Sequence, residues 1–153
     1  MLQISPILTS DLDRIFAIEQ AAHSVPWSLG TLKNSQGERY HNLKICDDNN
    51  IIGFAICQFV LDEANLFNIA IDPSYQGKGF GETLLRRLIT DLQDKNIATL
   101  WLEVRQSNPA QKLYEKLGFN AVDIRKNYYP TLDGGRENAV IMALYLNFKS
   151  FNA

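Results

Sequence analysis

The sequence predicts a single α/β domain in which a mixed β-sheet is covered by helices on both faces. A length of 153 residues suits one domain that can bury a sizeable core. Hydrophobic residues make up 46% and charged residues 21% of the chain, as in ordinary soluble globular proteins. Strand-like and helix-like segments follow the order β-α-α-β-β-β-α-β-α-β-β. No repeat or linker interrupts this order, so we expect one domain over residues 1–153.

The N-terminal half is predicted to supply an edge strand, two helices and a hairpin. An edge position tolerates Pro6, which cannot donate to a neighbouring strand. Ser10 is a suitable N-cap for the first helix. The polar run Asp47-Asp48-Asn49-Asn50 predicts the turn of the hairpin. In chain order, the predicted elements are a strand at 1–8, helices at 10–22 and 27–34, and strands at 42–46 and 51–60.

The C-terminal half repeats a strand–helix pattern and then ends in a strand pair. Pro109 suits the first turn of a helix, and Gly118 suits its C-terminal cap. The last two strands are predicted to flank a long loop that contains Asp133-Gly134-Gly135. The predicted elements are strands at 64–71 and 99–104, helices ending near 95 and spanning 109–117, and strands at 120–126 and 138–146.

A glycine-rich loop at residues 76–81 separates the apolar strand at 64–71 from an amphipathic helix. Its three glycines allow close approach of a ligand to the main chain, and the helix start offers unpaired N–H groups. Together these features favour a phosphate. A dinucleotide fingerprint is excluded because Glu82 stands at the third small position, and no Gly-Lys-Ser/Thr marks a Walker loop. A turn that only connects the two elements is the alternative.

Two residues near the predicted sheet edge could carry acid–base chemistry. In the strand at 99–104, Glu103 shares a face with Trp101 and Arg105, near the carboxyl end where α/β sheets bind ligands. The alternative interpretation of Glu103 is structural: a salt bridge to Arg105, or simply another surface charge. Tyr114 follows on a helix. The alternative interpretation of Tyr114 is a core residue that packs beside its neighbours on the helix.

The composition excludes several classes of function. A formal net charge of −2 argues against binding nucleic acid through a basic surface. We find no secretory signal and no apolar stretch near the ~20 residues that span a bilayer, so we expect a cytoplasmic protein without membrane contact. Cys46 and Cys57 lack metal-ligand spacing and are expected to be buried reduced thiols. His23 and His41 look isolated, and we expect neither a metal site nor a role for them.

The motif Gln76-x-x-Gly79-x-Gly81 and the later segment Asn108 to Tyr114 resemble the two signatures of the GNAT superfamily of acetyl-CoA-dependent N-acetyltransferases. Further stretches resemble its RimI-type branch, which acetylates the N-terminal alanine of ribosomal small-subunit protein 18. The similarity extends from about residue 12 to 144. These stretches are PWS at 26–28, QGERY at 36–40, LDEA at 61–64, LFNIA at 66–70, WLEVR at 101–105 and NYYP at 127–130.

The resemblance implies a role for each matching position. Glu103 would be the general base and Tyr114 the general acid. A main-chain N–H of Ala70 or Ile71 would bind the developing oxyanion. Asn108 would hold acetyl-CoA near its reactive end, or Ser107 would, because the Asn-to-Tyr interval is one residue shorter than usual. The main chain of Ile69, Ala70 and Ile71 would pair with the pantetheine arm, and that of Gly77, Lys78, Gly79, Phe80, Gly81 and Glu82 would bind the pyrophosphate.

The resemblance also implies a partner, the N-terminus of a ribosomal small-subunit protein, and we expect the enzyme to be a monomer. For each aromatic candidate of the peptide groove, half-buried packing is the alternative. Three other functions stay open: acetylation of another protein N-terminus or a small amine, CoA binding without turnover, and nucleotide binding. The groove candidates are Trp27, Glu38, Arg39, Tyr40, Tyr128 and Tyr129.

Overall fold

The computed structural model describes residues 1–146, and its elements follow the predicted order with two added 3₁₀ turns, at Thr9–Asp11 and Pro73–Tyr75. The helices are α1 (Leu12–Ala22), α2 (Leu29–Asn34), α3 (Phe80–Asp94) and α4 (Gln111–Lys116). The strands are β1 (Leu2–Pro6), β2 (Leu43–Asp47), β3 (Asn50–Val60), β4 (Glu63–Ile71), β5 (Thr99–Arg105), β6 (Asn120–Pro130) and β7 (Arg136–Tyr145).

The strands form one seven-stranded mixed sheet in the order β1-β2-β3-β4-β5-β7-β6. Among the strands of residues 1–146, only β4 and β5 pair in parallel, and every other neighbouring pair is antiparallel. The predicted fold class is therefore confirmed. Pro6 lies on the edge strand β1, as expected, because its missing N–H costs nothing there.

Helices cover both faces of the sheet. The apolar stripe of α3 packs on the face that carries Leu100 and Leu102, and Tyr114 of α4 joins this cluster. On the opposite face, α1 and α2 pack against Phe54 and Ile56 of β3. This second pair of helices leaves the outer surface of β6 exposed. No helix within residues 1–146 is long and apolar enough to cross a membrane.

Three predicted boundaries are wrong at the helix starts. The chain enters α1 through a 3₁₀ turn, so Ser10 is not its cap. Instead, the carboxylate of Asp11 accepts the N–H of Leu8 at 2.7 Å. α2 begins only after Ser28, whose hydroxyl accepts the N–H of Thr31 at 3.1 Å. α4 starts at residue 111 because Asn108 and Pro109 form the turn before it.

The predicted long loop before the last strand is also wrong, because β6 and β7 extend until only residues 131–135 connect them. β6 contains a register shift between Arg125 and Tyr129. At Asn127 the backbone takes a φ of 51°, and its N–H is bound by the Asn138 side chain at 3.0 Å. This bulge breaks the alternation of side chains, which explains why the segment does not look like a strand in the sequence.

Candidate active site

The sheet opens between β4 and β5. Their parallel pairing runs from Glu63 opposite Thr99 to Leu66 opposite Leu102, although both strands continue further. At this point the register between β3 and β4 shifts and leaves Phe67 without a partner. Such an extra residue bends its strand. The two carboxyl ends therefore diverge and leave a gap, in the region where α/β sheets bind ligands.

A cavity of about 690 Å³ lies at this gap. It brings together four of the residues singled out in the sequence: Ile69, Glu103, Asn108 and Tyr114. The loop at residues 77–82 does not line this cavity, and neither do Ala70 and Ile71. The predicted general acid Tyr114, the predicted general base Glu103 and the amide of Asn108 thus line one cavity. The predicted phosphate-binding loop lies outside this cavity.

Glu103 faces the cavity with a side chain that is 30% exposed. Its Oε1 forms an ion pair with Nε of Arg125 on β6 at 2.9 Å. The predicted alternative partner, Arg105, instead faces Glu137 at 3.5 Å. Only one oxygen of the Glu103 carboxylate is engaged by residues 1–146, so the other can accept from a ligand.

Tyr114 is nearly fully buried, and its ring lies 5.7 Å from that of Phe119. Burial, with a smaller effect of neighbouring Tyr129, raises the pKa of Tyr114 to about 12. The phenol therefore stays protonated at neutral pH. Its hydroxyl has no hydrogen-bond partner within the described part of the chain, which leaves it available as a donor inside the cavity.

The loop between β4 and α3 has the geometry of an anion cradle. Gly77 and Gly79 take φ values of 77° and 85°, and open space surrounds the position of a Cβ at each. The first helical bond of α3 is donated by Thr83 to Gly79, so the N–H groups of residues 80–82 lack an intrahelical acceptor. Gln76 holds the loop to the end of β4, because its amide donates to the carbonyl of Ile71 at 2.9 Å.

Two cations neutralise the one carboxylate in this loop. Glu82 accepts from Lys116 at 2.8 Å and from Arg86 at 3.0 Å. The hydrogen bond from Lys116, followed by that from Arg86, lowers the pKa of Glu82. The side chain thus connects α3 to α4, and its main-chain N–H stays free for a ligand.

The direction of the main-chain groups distinguishes the candidate oxyanion donors. The N–H of Asp72 bonds to the carbonyl of Ile52 on β3 at 2.7 Å. Since N–H groups alternate sides along a strand, those of Ile69 and Ile71 point toward the gap and that of Ala70 points toward β3. Of the two candidates from the sequence, only Ile71 directs its N–H toward the gap, but Ile71 does not line the cavity that holds Glu103, whereas Ile69 does.

Hydrogen bonds also separate Asn108 from Ser107, which both line the cavity. Ser107 is occupied, because its hydroxyl donates to Glu137 at 2.8 Å and its N–H does so at 3.1 Å. Asn108 uses only its Oδ1, which accepts the N–H of Ala110 at 2.9 Å. The amide NH₂ of Asn108 is therefore the freer donor.

The expected isolation of the histidines is wrong. Nδ1 of His23 lies 2.7 Å from the buried carboxylate of Glu19, and Nε2 of His41 lies 2.8 Å from Asp91. Glu19 also accepts from Asn68 of β4 at 3.0 Å and from the N–H of Trp27 at 2.9 Å. The four-residue spacing of Glu19 and His23 on α1 is the sequence signal for this cluster.

The peptide-groove candidates separate into two groups. Trp27 and Tyr129 line the main cavity. Tyr128 lies with Tyr129 at a second cavity of about 460 Å³, which shares Glu103 with the first. Residues 38–40 line neither cavity. The carbonyl of Arg39 accepts the N–H of Phe59 at 2.8 Å, so Glu38, Arg39 and Tyr40 lie beside β3, and their assignment to the groove stays a prediction.

Two further expectations concern the thiols and metals. Cys46 and Cys57 are buried and free, as predicted. No cluster of three or more His, Cys, Asp or Glu side chains that could hold a metal ion is found in residues 1–146.

Comparison with known proteins adds independent information. Residues 10–119 match the model of the acetyltransferase (GNAT) family. The chain is 68% identical over 143 residues to a ribosomal protein bS18-alanine N-acetyltransferase of Haemophilus influenzae, covering 94% of this chain and 98% of that protein. It is 55% identical over 145 residues to the Escherichia coli protein of the same name, covering 94% and 97%.

Similarity extends to three dimensions. The crystal structure of the ribosomal-protein-S18-alanine N-acetyltransferase from Escherichia coli superposes with a TM-score of 0.93 at 54% identity. The superposition covers 95% of this chain and 94% of the other.

Proposed function

Because this chain belongs to the GNAT family of acetyltransferases, we propose that it moves the acetyl group of acetyl-CoA to the N-terminal α-amine of a bS18-type ribosomal protein that begins with alanine. The observation that carries the proposal is the gap between β4 and β5, which holds a carboxylate and a protonated phenol in one cavity. Relatives that are 55% and 68% identical over nearly their full length support the choice of substrate.

The glycine loop fits the diphosphate of acetyl-CoA. The N–H groups at the start of α3 carry partial positive charge, and no Cβ of Gly77 or Gly79 fills the space beside them. Residues 77–82 would hold the diphosphate, the N–H group of Ile71 the pantetheine arm, and Asn108 the reactive end. Acetyl-CoA supplies the activated acetyl group, and the protein positions it in the gap.

The chemistry of the acceptor favours an α-amine. An α-amino group has a pKa of ~8, so at pH 7 about a tenth of it is neutral, at a cost of ~1.4 kcal/mol. Converting a lysine side chain with a pKa of ~10.4 to its neutral form at pH 7 would cost ~4.6 kcal/mol. A carboxylate such as Glu103 is a weak base, but it suffices to deprotonate an α-amine when it acts through one water molecule.

Tyr114 supplies the complementary proton. Its phenol is protonated throughout the neutral range, since burial raises the pKa to about 12. It can donate to the sulfur that leaves as the amide forms. The N–H of Ile69 points toward the gap, and because Ile69 lines the same cavity as Tyr114, this N–H can bind the oxyanion. Holding the amine and the thioester together provides most of the remaining rate acceleration.

Incubation with acetyl-CoA and a peptide of bS18 type that begins Ala-Arg tests the proposal. We expect the peptide to gain one acetyl group, located on the α-nitrogen by fragment-ion mass spectrometry. The control is the same peptide with a blocked N-terminus and an internal lysine, which should stay unmodified. Acetylation of polyamines without modification of the peptide would assign the enzyme to small amines. Binding of CoA without any turnover would overturn the proposal.

A further inference from the structure

His23 occupies a position that the acid–base roles of Glu103 and Tyr114 do not explain. Its side chain is 36% exposed and lines the same cavity as those two residues. Nδ1 lies 2.7 Å from Oε1 of Glu19, and Nε2 has no partner within residues 1–146. The imidazole therefore faces the site with one nitrogen fixed and the other free.

Glu19 determines which nitrogen is free. The carboxylate is 1% exposed and accepts hydrogen bonds from His23, Asn68 and the N–H of Trp27. Burial favours its neutral form, but these hydrogen bonds outweigh burial and lower the pKa of Glu19. An ionised carboxylate has no proton to give, so Nδ1 of His23 must be the donor. Nε2 then carries the lone pair in the neutral ring.

The acceptor nitrogen loses two protons during the reaction, so a second proton acceptor can act beside Glu103. The substrate ammonium carries three protons on nitrogen and the product amide carries one, so the nitrogen loses two. One proton is returned to the departing sulfur, and the other leaves for solvent. Three groups in the cavity lining formed by residues 1–146 could accept a proton, and Glu19 is already occupied by three hydrogen bonds, which leaves Glu103 and His23.

Resting on the acetyl transfer proposed above, we propose that Nε2 of His23 accepts the first proton from the substrate ammonium, directly or through one water molecule. The N–H bond of the ammonium breaks and an Nε2–H bond forms. Glu19 stabilises the resulting imidazolium, and the partly exposed ring passes the proton to water. Glu103 then takes the second proton from the nitrogen after its attack. Glu19 acts as the positioning residue for His23.

The variant His23→Asn tests this role, because the asparagine amide can still donate to Glu19 while Nε2 is removed. His41→Asn is the matched control, since His41 also pairs with a carboxylate but does not line the cavity. We expect kcat/KM for the peptide to fall about five- to tenfold at pH 7 in His23→Asn, because about a tenth of the α-amine is already neutral at that pH and reacts without the first proton transfer. We expect it to be unchanged in His41→Asn.

The pH profile separates a proton acceptor from a structural residue. Above pH 9 the substrate amine is already neutral, so His23→Asn should approach the wild-type rate. The other titratable or charged groups that face this space are Glu19 on α1, Glu103 and Arg105 on β5, Tyr114 on α4 and Tyr129 on β6. An equal loss at every pH, or no loss at pH 7, would overturn the role.

A measurement on the unaltered protein does not depend on the folding of any variant. NMR of ¹⁵N-histidine-labelled protein should show His23 protonated on Nδ1 and not on Nε2 at pH 8. The opposite tautomer would contradict the inference. If the wild type does not acetylate the peptide, the proposed function fails. If the wild type acetylates the peptide and the pH profile of kcat/KM for His23→Asn runs parallel to that of the wild type, only the role of His23 fails.

Discussion

At the scale of single residues, the environment decides what each ionisable side chain can do. Tyr114 is enclosed by the core that packs α4 on the sheet, yet its hydroxyl reaches the cavity without a hydrogen-bond partner in residues 1–146. Glu103 lies across the same cavity and is tied to Arg125. One group is thus a neutral donor and the other an acceptor, which matches the two proton transfers of an acyl transfer to an amine.

Tyr114→Phe removes only the hydroxyl and retains the packing of the ring. Since a general acid contributes about 10²–10⁴-fold, we expect kcat to fall by at least about 100-fold. CoA affinity, measured by calorimetry, should change less than about threefold, because the proposed diphosphate contacts come from the glycine loop. Tyr145→Phe, on the exposed end of β7, is the control and should retain full activity. An active Tyr114→Phe would remove the acid role.

Cys57 gives a prediction that is independent of catalysis. Burial raises the pKa of its thiol to about 12, and its side chain is inaccessible. Thiolate is the reactive form, so Cys57 should resist alkylation by iodoacetamide at pH 8 in the folded protein. Both thiols should react once urea unfolds the chain. Mass spectrometry of digested samples measures each site, and rapid native labelling of Cys57 would contradict its burial.

At the scale of elements, the candidate active site lies where β4 and β5 stop pairing and where α3 begins. The unpaired Phe67 bends β4 away from β5 and opens the gap. The left-handed Gly79 starts α3 directly after the loop and leaves its first N–H groups free. Both features depend on backbone geometry, so substitutions there should affect ligand binding more than the core.

Gly79→Ala tests the start of α3. A residue with a Cβ pays about 1–2 kcal/mol in the left-handed region, so we expect the affinity for CoA to fall about tenfold. Gly30→Ala is the matched control, because Gly30 lies in α2 with no close atom around its Cβ position except the Ser28 hydroxyl at 3.8 Å. That variant should leave CoA affinity unchanged. Titration calorimetry with CoA compares the two, and equal affinities would argue against the cradle.

At the scale of the whole molecule, buried charge connects the site to stability. Glu19 joins α1, the segment before α2 and β4 through three hydrogen bonds. These bonds outweigh the effect of burial and lower the pKa of Glu19 from its ordinary value of 4.5. A lowered pKa means that its stabilisation is complete above about pH 4.5 and is lost as the pH falls through the pKa of the folded state.

Glu19→Gln should therefore change the pH dependence of unfolding. We expect a loss of about 1–3 kcal/mol at pH 7, because a buried partner is left poorly satisfied. The deficit should shrink as the pH falls below about 4.5 and passes through the lowered pKa of the folded state, where the wild type loses its own carboxylate. Urea denaturation across this range measures both proteins, with the exposed Glu115→Gln as the control. A deficit that is constant with pH would show that the charge of Glu19 contributes nothing.

The sequence alone determined the class of fold, the order of its elements and the residues of the glycine loop, because these depend on local periodicity and on glycine chemistry. It also singled out Glu103 and Tyr114, though not what surrounds them. Only the tertiary structure decided that Glu103 pairs with Arg125 rather than Arg105, that residues 38–40 lie away from the cavity, and that His23 faces it. These facts follow from the bends of β4 and β6 and from contacts between distant segments. No local pattern encodes them, since they depend on how whole elements pack.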